Sequence, residues 1–264
     1  MRPPRRPSSA AGSWPALLSF LGVLALWELA ARSQAVSPVF FPPPSAILGR
    51  MGGQGTLERV WLPCLATLGH ALSGLAVGGS LGIATGVLCG ACRPADAVLT
   101  PFINATYALP KIAAVPLVLA LTGSGDLLVV SLVAAACAYG TAVMTRHGMD
   151  QLDPTLTLAA VNLGARRGQV LRHVVLPGLT PYLIAGLRLA LLESFRMAVV
   201  IEALLAVRGL GRQMWISGSW FDMESYFAVI IVLAVLGYAS VRGFDVAAAA
   251  LAPWARRYEL EDIR

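Results

Sequence analysis

Charge is what this sequence has least of. Of its 264 residues only 13% are Asp, Glu, Lys or Arg, while 57% are hydrophobic. A soluble globular domain carries about a quarter charged residues, so the shortage points to a polytopic membrane protein solvated by lipid. Histidine is scarce too. His70, His147 and His173 are too scattered for a metal site, and no nucleophile–base pair stands out, which argues against a membrane-embedded enzyme. The four cysteines include Cys89 and Cys92, formally a CxxC pair. It lacks the strand–helix context of a redox motif and the further ligands of a zinc site, and reads as small residues at a helix end. No Gly-x-x-x-x-Gly-Lys-Ser/Thr loop occurs, so any nucleotide that drives this chain is bound elsewhere. No secretory cleavage pattern follows the first apolar stretch.

The net charge of +6 is spread over loops between apolar runs, without the basic stripe and interleaved aromatics of a nucleic-acid surface. The excess of Arg in alternate loops instead fits the positive-inside bias of membrane proteins. Hydropathy and length predict an all-α chain with about six membrane-crossing segments. Residues 1–13, with Arg2, Arg5 and Arg6, form a disordered cytoplasmic tail. Residues 14–62 hold the first span and an outer connector, within which residues 45–51 suit a short surface helix. Residues 63–245 hold five further spans, at 63–92, 98–121, 127–145, 177–207 and 226–241. Arg93, Pro94 and Asp96 make a cytoplasmic turn after the second span. A charged cytoplasmic tail covers residues 246–264. Alternation then puts both termini in the cytoplasm.

Three spans carry unusual residues. In the second, Gly74, Gly78, Gly82, Gly86 and Gly90 recur every fourth position. Glycine at that spacing lets two helices approach closely in lipid, and tight packing within the chain is the favoured reading over a subunit interface. The third is interrupted by Pro101, Pro110 and Pro116 and contains Lys111, which must be paired or near an interface. Broken helices at membrane depth are tolerated where they line a cavity or are buried in protein. Asn104 and Tyr107 here are candidates for a translocation path, equally well read as helix-to-helix hydrogen-bonding groups. In the fifth span Glu193 and Arg196 stand at i,i+3 and can pair. Glu193 and Glu202 are further path candidates, and for Glu202 a hydrogen-bonded structural carboxylate is the slightly favoured reading.

The most specific stretch lies between the fourth and fifth spans, where Arg146, His147, Asp150, Asp153, Arg166, Arg167, Arg172 and His173 interrupt the apolar runs. Asp153 is a good N-cap followed by Pro154 at the first helical position. Leu156, Ala159, Ala160 and Leu163 share a helix face, and Gly164 can take the left-handed conformation that ends a helix. A second short helix fits residues 167–175, stopped by Pro177. Two short helices with a glycine elbow make a rigid knob suited to a groove on a partner.

These residues resemble the cytoplasmic loop of bacterial ABC importer permeases, which reads Glu-Ala-Ala, Gly, an apolar residue and Leu-Pro. Ala159, Ala160, Gly164, Val174, Leu176 and Pro177 stand at that spacing, and Leu158 replaces the leading Glu. Gly209-Leu210-Gly211, residues 185–190, and Leu109 to Ala113 with Pro116 and Leu117 extend the likeness over roughly residues 57–245, nearest the branch importing nitrate, sulfonates, taurine and thiamine-precursor pyrimidines. The resemblance implies a type I importer permease fold in a bacterial inner membrane and a role without catalysis. It implies a separate ATPase that binds ATP and Mg and docks on the loop at Leu156, Leu158, Ala159, Ala160, Leu163, Gly164, Ala165, Arg166, Val174, Leu176 and Pro177. It also implies a periplasmic or lipid-anchored solute-binding protein and a second permease copy, with no nucleic acid and no metal. The competing reading is an ion-coupled secondary transporter, which would need inverted repeats that are not apparent.

Overall fold

The computed structural model describes residues 13–33, 37, 39–53, 60–108 and 110–254. The expected terminal tail with Arg2, Arg5 and Arg6, and Leu57, Arg59, Leu109, Arg256, Arg257 and Arg264, lie outside them. Among the described residues all regular structure is helical. The chain runs α1 (Ser13–Arg32), α2 (Pro44–Met51), α3 (Leu62–Ala91), α4 (Arg93–Ala108), a 3-10 turn (Lys111–Ala114), α5 (Val115–Thr122), α6 (Asp126–Asp150), α7 (Pro154–Asn162), α8 (Arg167–Val170), a π turn (Leu171–Val175), α9 (Leu176–Leu205), α10 (Leu210–Ser219) and α11 (Met223–Leu251). By length and composition α3, α6 and α11 can each cross a membrane. The equally long α9 carries Arg188, Glu193, Arg196 and Glu202.

The centre of the molecule is a three-helix slab of α3, α6 and α9. Glycine determines its geometry. A Cβ at Gly78 would lie 2.1 Å from the Ala134 carbonyl oxygen, at Gly82 2.5 Å from that of Ala138, and at Gly86 2.6 Å from that of Ala142. At Gly74 and Gly90 it would meet the Val133 and Met149 side chains. The expected ridge therefore packs within the chain, against α6, with the two helices running parallel over about 24 Å. On the other side of α6, Gly148 faces Tyr182, Gly178 faces Leu152 and Gly186 faces Met144, so α9 runs antiparallel to it. Leu128, Val129, Leu132, Val133, Cys137, Ala190, Ala198 and Ile201 fill the space between the helices.

Four expectations change. Arg93, Pro94 and Asp96 are not a turn but the first turn of α4, separated from α3 by Cys92 alone; Pro94 lies early enough in the helix that its missing N–H breaks no bond. Residues 208–223, expected as a loop on the outer side between the fifth and sixth spans, contain a helix, α10. The last span is longer than expected and runs to Leu251, taking in the start of the expected tail. Pro177 does not stop a helix: the backbone is helical at Val170, Val175 and Leu176, and the π turn carries α8 directly into α9. A π turn shifts the hydrogen-bond register by one residue, which accommodates a proline that cannot donate.

Candidate functional site

Sequence reasoning placed candidate residues at both ends of the slab, and the structure keeps those groups apart. At one end α6 leads into α7. The Asp153 carboxylate accepts from the Thr155 amide at 2.9 Å and also from the Thr155 hydroxyl, capping α7. Those two hydrogen bonds hold the Asp153 carboxyl below the usual aspartate range. At the other end of α7 the Gly164 amide donates to Val161 O at 2.9 Å and the Ala165 amide to Ala160 O at 3.0 Å. With φ of +86° at Gly164 this is a Schellman closure. Gln169 Oε1 then accepts from the Arg166 amide at 2.7 Å, which starts α8. The elbow is thus closed by backbone bonds on the α7 side and by a Gln169 side-chain bond on the α8 side.

Its surface is unusual. No residue of α7 is buried. Leu156, Leu158 and Val161 are more than half exposed, and Leu163 is 88% exposed. Ala160 and Ala165 are half-buried against each other's turn, while Ala159 and Arg166 point outward. Val174 and Pro177 are half-buried and Leu176 is 39% exposed, on the segment that joins the knob to α9. Beside the knob, Asp96 of α4 accepts two bonds from Arg146 of α6, at 2.6 and 2.9 Å, and one from Thr100 at 2.6 Å. The Arg146 guanidinium and then the Thr100 hydroxyl hold this carboxyl low. Asn104 is exposed and lines a cleft of about 210 Å³ here with Arg146, His147 and Asp150. Tyr107 follows one turn later on α4.

Glu193 lies along the slab and is shared by Lys111 at 3.3 Å and Arg196 at 3.5 Å. The Lys111 in the broken span is therefore paired, as its cost in lipid requires. Glu202 is at the opposite end and has no exposed surface. Its Oε2 accepts from the Thr67 hydroxyl at 2.8 Å and the Gly211 amide at 3.0 Å, and its Oε1 lies 2.8 Å from His70 Nδ1. The far side of the His70 ring places Nε2 3.2 Å from Asp126, which in turn accepts a fork of bonds from Arg208. Thr67 also accepts from the Leu210 amide at 2.8 Å. The cluster ties together α3, α6, α9 and α10. Glycine makes room for it, since a Cβ at Gly209 would sit 2.1 Å from the Glu202 carboxyl carbon and one at Gly211 2.1 Å from Val199 O. This geometry is that of a structural carboxylate, and it leaves Asn104, Glu193 and Glu202 in three separate places.

His70, Thr67, Asp126 and Arg208 were not identified from the sequence. A histidine one turn after a threonine inside an apolar helix was a usable signal, because each needs a buried partner.

Residues 82–257, more than half of the chain, match the family described as binding-protein-dependent transport system inner membrane component. The taurine transport system permease protein TauC of Escherichia coli is 29% identical over 237 residues, covering 88% of this chain and 86% of the relative. The putative aliphatic sulfonates transport permease protein SsuC of the same organism is 26% identical over 217 residues, 82% of each. Among solved structures, an inward-facing form of the MetNI methionine ABC transporter superposes with a TM-score of 0.68 at 21% identity, covering 75% of this chain and 98% of that one. That likeness is one of fold. The chain therefore belongs to the family of binding-protein-dependent transport system inner membrane components: it is a membrane-embedded permease subunit, without catalysis of its own, for an ABC transporter whose ATPase is a separate chain.

Proposed function

We propose that this permease forms half of a translocation path for a small sulfonate- or taurine-type solute, moved inward by alternating access. The observation that carries the reading is the α7 knob. It is a capped apolar helix with no buried residue, its Leu156, Leu158 and Val161 more than half exposed, and apolar surface of that kind marks an interaction site. An ATPase subunit, binding ATP and Mg, docks there. The helical backbone continuing from α8 through the π turn into α9 makes the knob one end of a lever about 58 Å long. The buried cluster around Glu202 holds the far end of that lever to α3, α6 and α10.

In this reading about six segments cross the membrane. Residues 63–245 are the transporting core, with the coupling loop at residues 146–176. Arg93, Arg146, Arg166, Arg167 and Arg172 face the cytoplasm, while Arg32, Arg50, Arg208 and Arg212 face outward. Both termini are cytoplasmic. A second copy of the chain completes the path. A periplasmic or lipid-anchored binding protein delivers solute to the outer loops. The class of solute is taken from the names of TauC and SsuC.

The test is ATP-driven uptake in proteoliposomes containing the permease, the ATPase that co-purifies with it and its binding protein, with labelled taurine and an alkanesulfonate as probes. Gly164→Pro forces φ to about −65° where +86° is needed. It should abolish uptake and ATPase retention while leaving membrane insertion intact. Normal uptake by this variant would refute the coupling role.

A further inference from the structure

The α7 helix carries no charged residue, and the charges around it are lopsided. Arg166, Arg167 and Arg172 are all exposed, and none forms an ion pair among the described residues. The acidic groups nearby are already engaged: Asp153 caps α7, Asp150 faces Arg146 at 3.9 Å, and Asp96 is bound by the same arginine. Three exposed arginines without carboxylate partners thus lie at the start of α8 and in the π turn, the segments that pack against α7, beside an apolar surface that includes Leu158, where the Glu of the resembled loop is missing.

We propose that the groove receiving this knob has an apolar floor that takes Leu158 and an acidic rim that takes Arg166, Arg167 and Arg172. The inference rests on the docking reading above and adds the partner's chemistry. The physical reasoning is complementarity: like charges facing each other across an interface are excluded, and opposite rim charges set partner choice and encounter rate more than the depth of binding. A groove of this kind has no cation for a carboxylate at position 158. Leu158→Glu, which restores the family residue, therefore weakens docking here. An anionic lipid surface would also attract the three arginines. The ATPase groove is preferred because the closed elbow at Gly164 fixes α7 as a protruding shape, and shape is not needed to meet a lipid surface.

The experiment measures association of the co-purifying ATPase with the full-length permease in zwitterionic-lipid nanodiscs, at low and high salt. Each single Arg→Ala change should weaken association about two- to fivefold, the range of exposed ion pairs, and the triple Arg→Glu change by more than tenfold. Wild-type association should fall with added salt, and Leu158→Glu should bind more weakly than wild type. Unaltered affinity and salt dependence in the triple variant, with Gly164→Pro still abolishing binding, would overturn the acidic rim and leave the docking site standing. No effect of any variant, Gly164→Pro included, would overturn both. Tighter binding by Leu158→Glu would place a cation in the groove and refute the proposal. So would charge effects that appear only as altered binding of soluble ATPase-free permease discs to anionic vesicles. The salt dependence of the unmodified complex decides the matter even where a variant fails to fold.

Discussion

Removing the carboxylate of Glu202 should cost this fold more than any other single polar change. In Glu202→Ala the Thr67 hydroxyl, the His70 ring and the Gly211 amide lose their common acceptor inside a sealed site. Each buried donor left unpaired costs about 1–3 kcal/mol, and three groups lose their acceptor together. These costs overlap, so the expected loss is about 3–5 kcal/mol. Glu202→Gln is different. Its oxygen still accepts from Thr67 and Gly211, and its amide can donate to His70 Nδ1 once the ring carries its proton on Nε2, toward Asp126. That rearrangement holds the loss to about 1 kcal/mol. Thermal unfolding of purified permease in detergent, read by size-exclusion, should rank wild type above Glu202→Gln and both well above Glu202→Ala. Uptake should follow the amount of folded protein. Wild-type unfolding of Glu202→Ala would refute the structural role. A stable Glu202→Gln that transports nothing would instead place the carboxylate on the solute's route.

Gly78→Ala puts a Cβ 2.1 Å from a backbone oxygen of α6, whereas Gly69→Ala on the same helix meets nothing within 4 Å. The first should destabilise by about 1–3 kcal/mol through overpacking, and the second should be neutral or slightly stabilising; equal unfolding midpoints would contradict the close-packed ridge. Asp96→Asn should loosen α4 from α6 at neutral pH. Because the Asp96 carboxyl is held below its ordinary value by Arg146 and then Thr100, its contribution is present above about pH 4 and is lost as pH falls through the lowered folded-state value. The stability gap between wild type and Asp96→Asn should therefore close on acidification, and a gap that widens would be inconsistent with the pair. Gly164→Ala should weaken ATPase retention less than Gly164→Pro, since alanine reaches the left-handed region at a cost of about 1–2 kcal/mol whereas proline cannot.

The glycine ridge of α3, the paired Lys111 and the capped, glycine-ended α7 were legible because each rests on a local rule: helical spacing, the cost of a charge in lipid, and backbone conformation. The cluster around Glu202 was not, since Thr67, His70, Asp126 and Leu210 lie far apart in sequence and only the packed slab joins them. Pro177 misled for a related reason. A proline ends a helix unless the register shifts around it, and the π turn at Leu171–Val175 makes that shift. Helix α10 escaped notice because its residues, Gly and Trp among them, also suit an interfacial loop.

The most direct measurement is site-specific crosslinking at the knob. Single cysteines at Ala160 and Gly164, in a chain otherwise freed of its four native thiols, should capture the nucleotide-hydrolysing subunit in membranes and should be reached by impermeant thiol reagents only from the cytoplasmic side. Failure of both positions to capture that subunit, or labelling from the periplasmic side, would contradict the account.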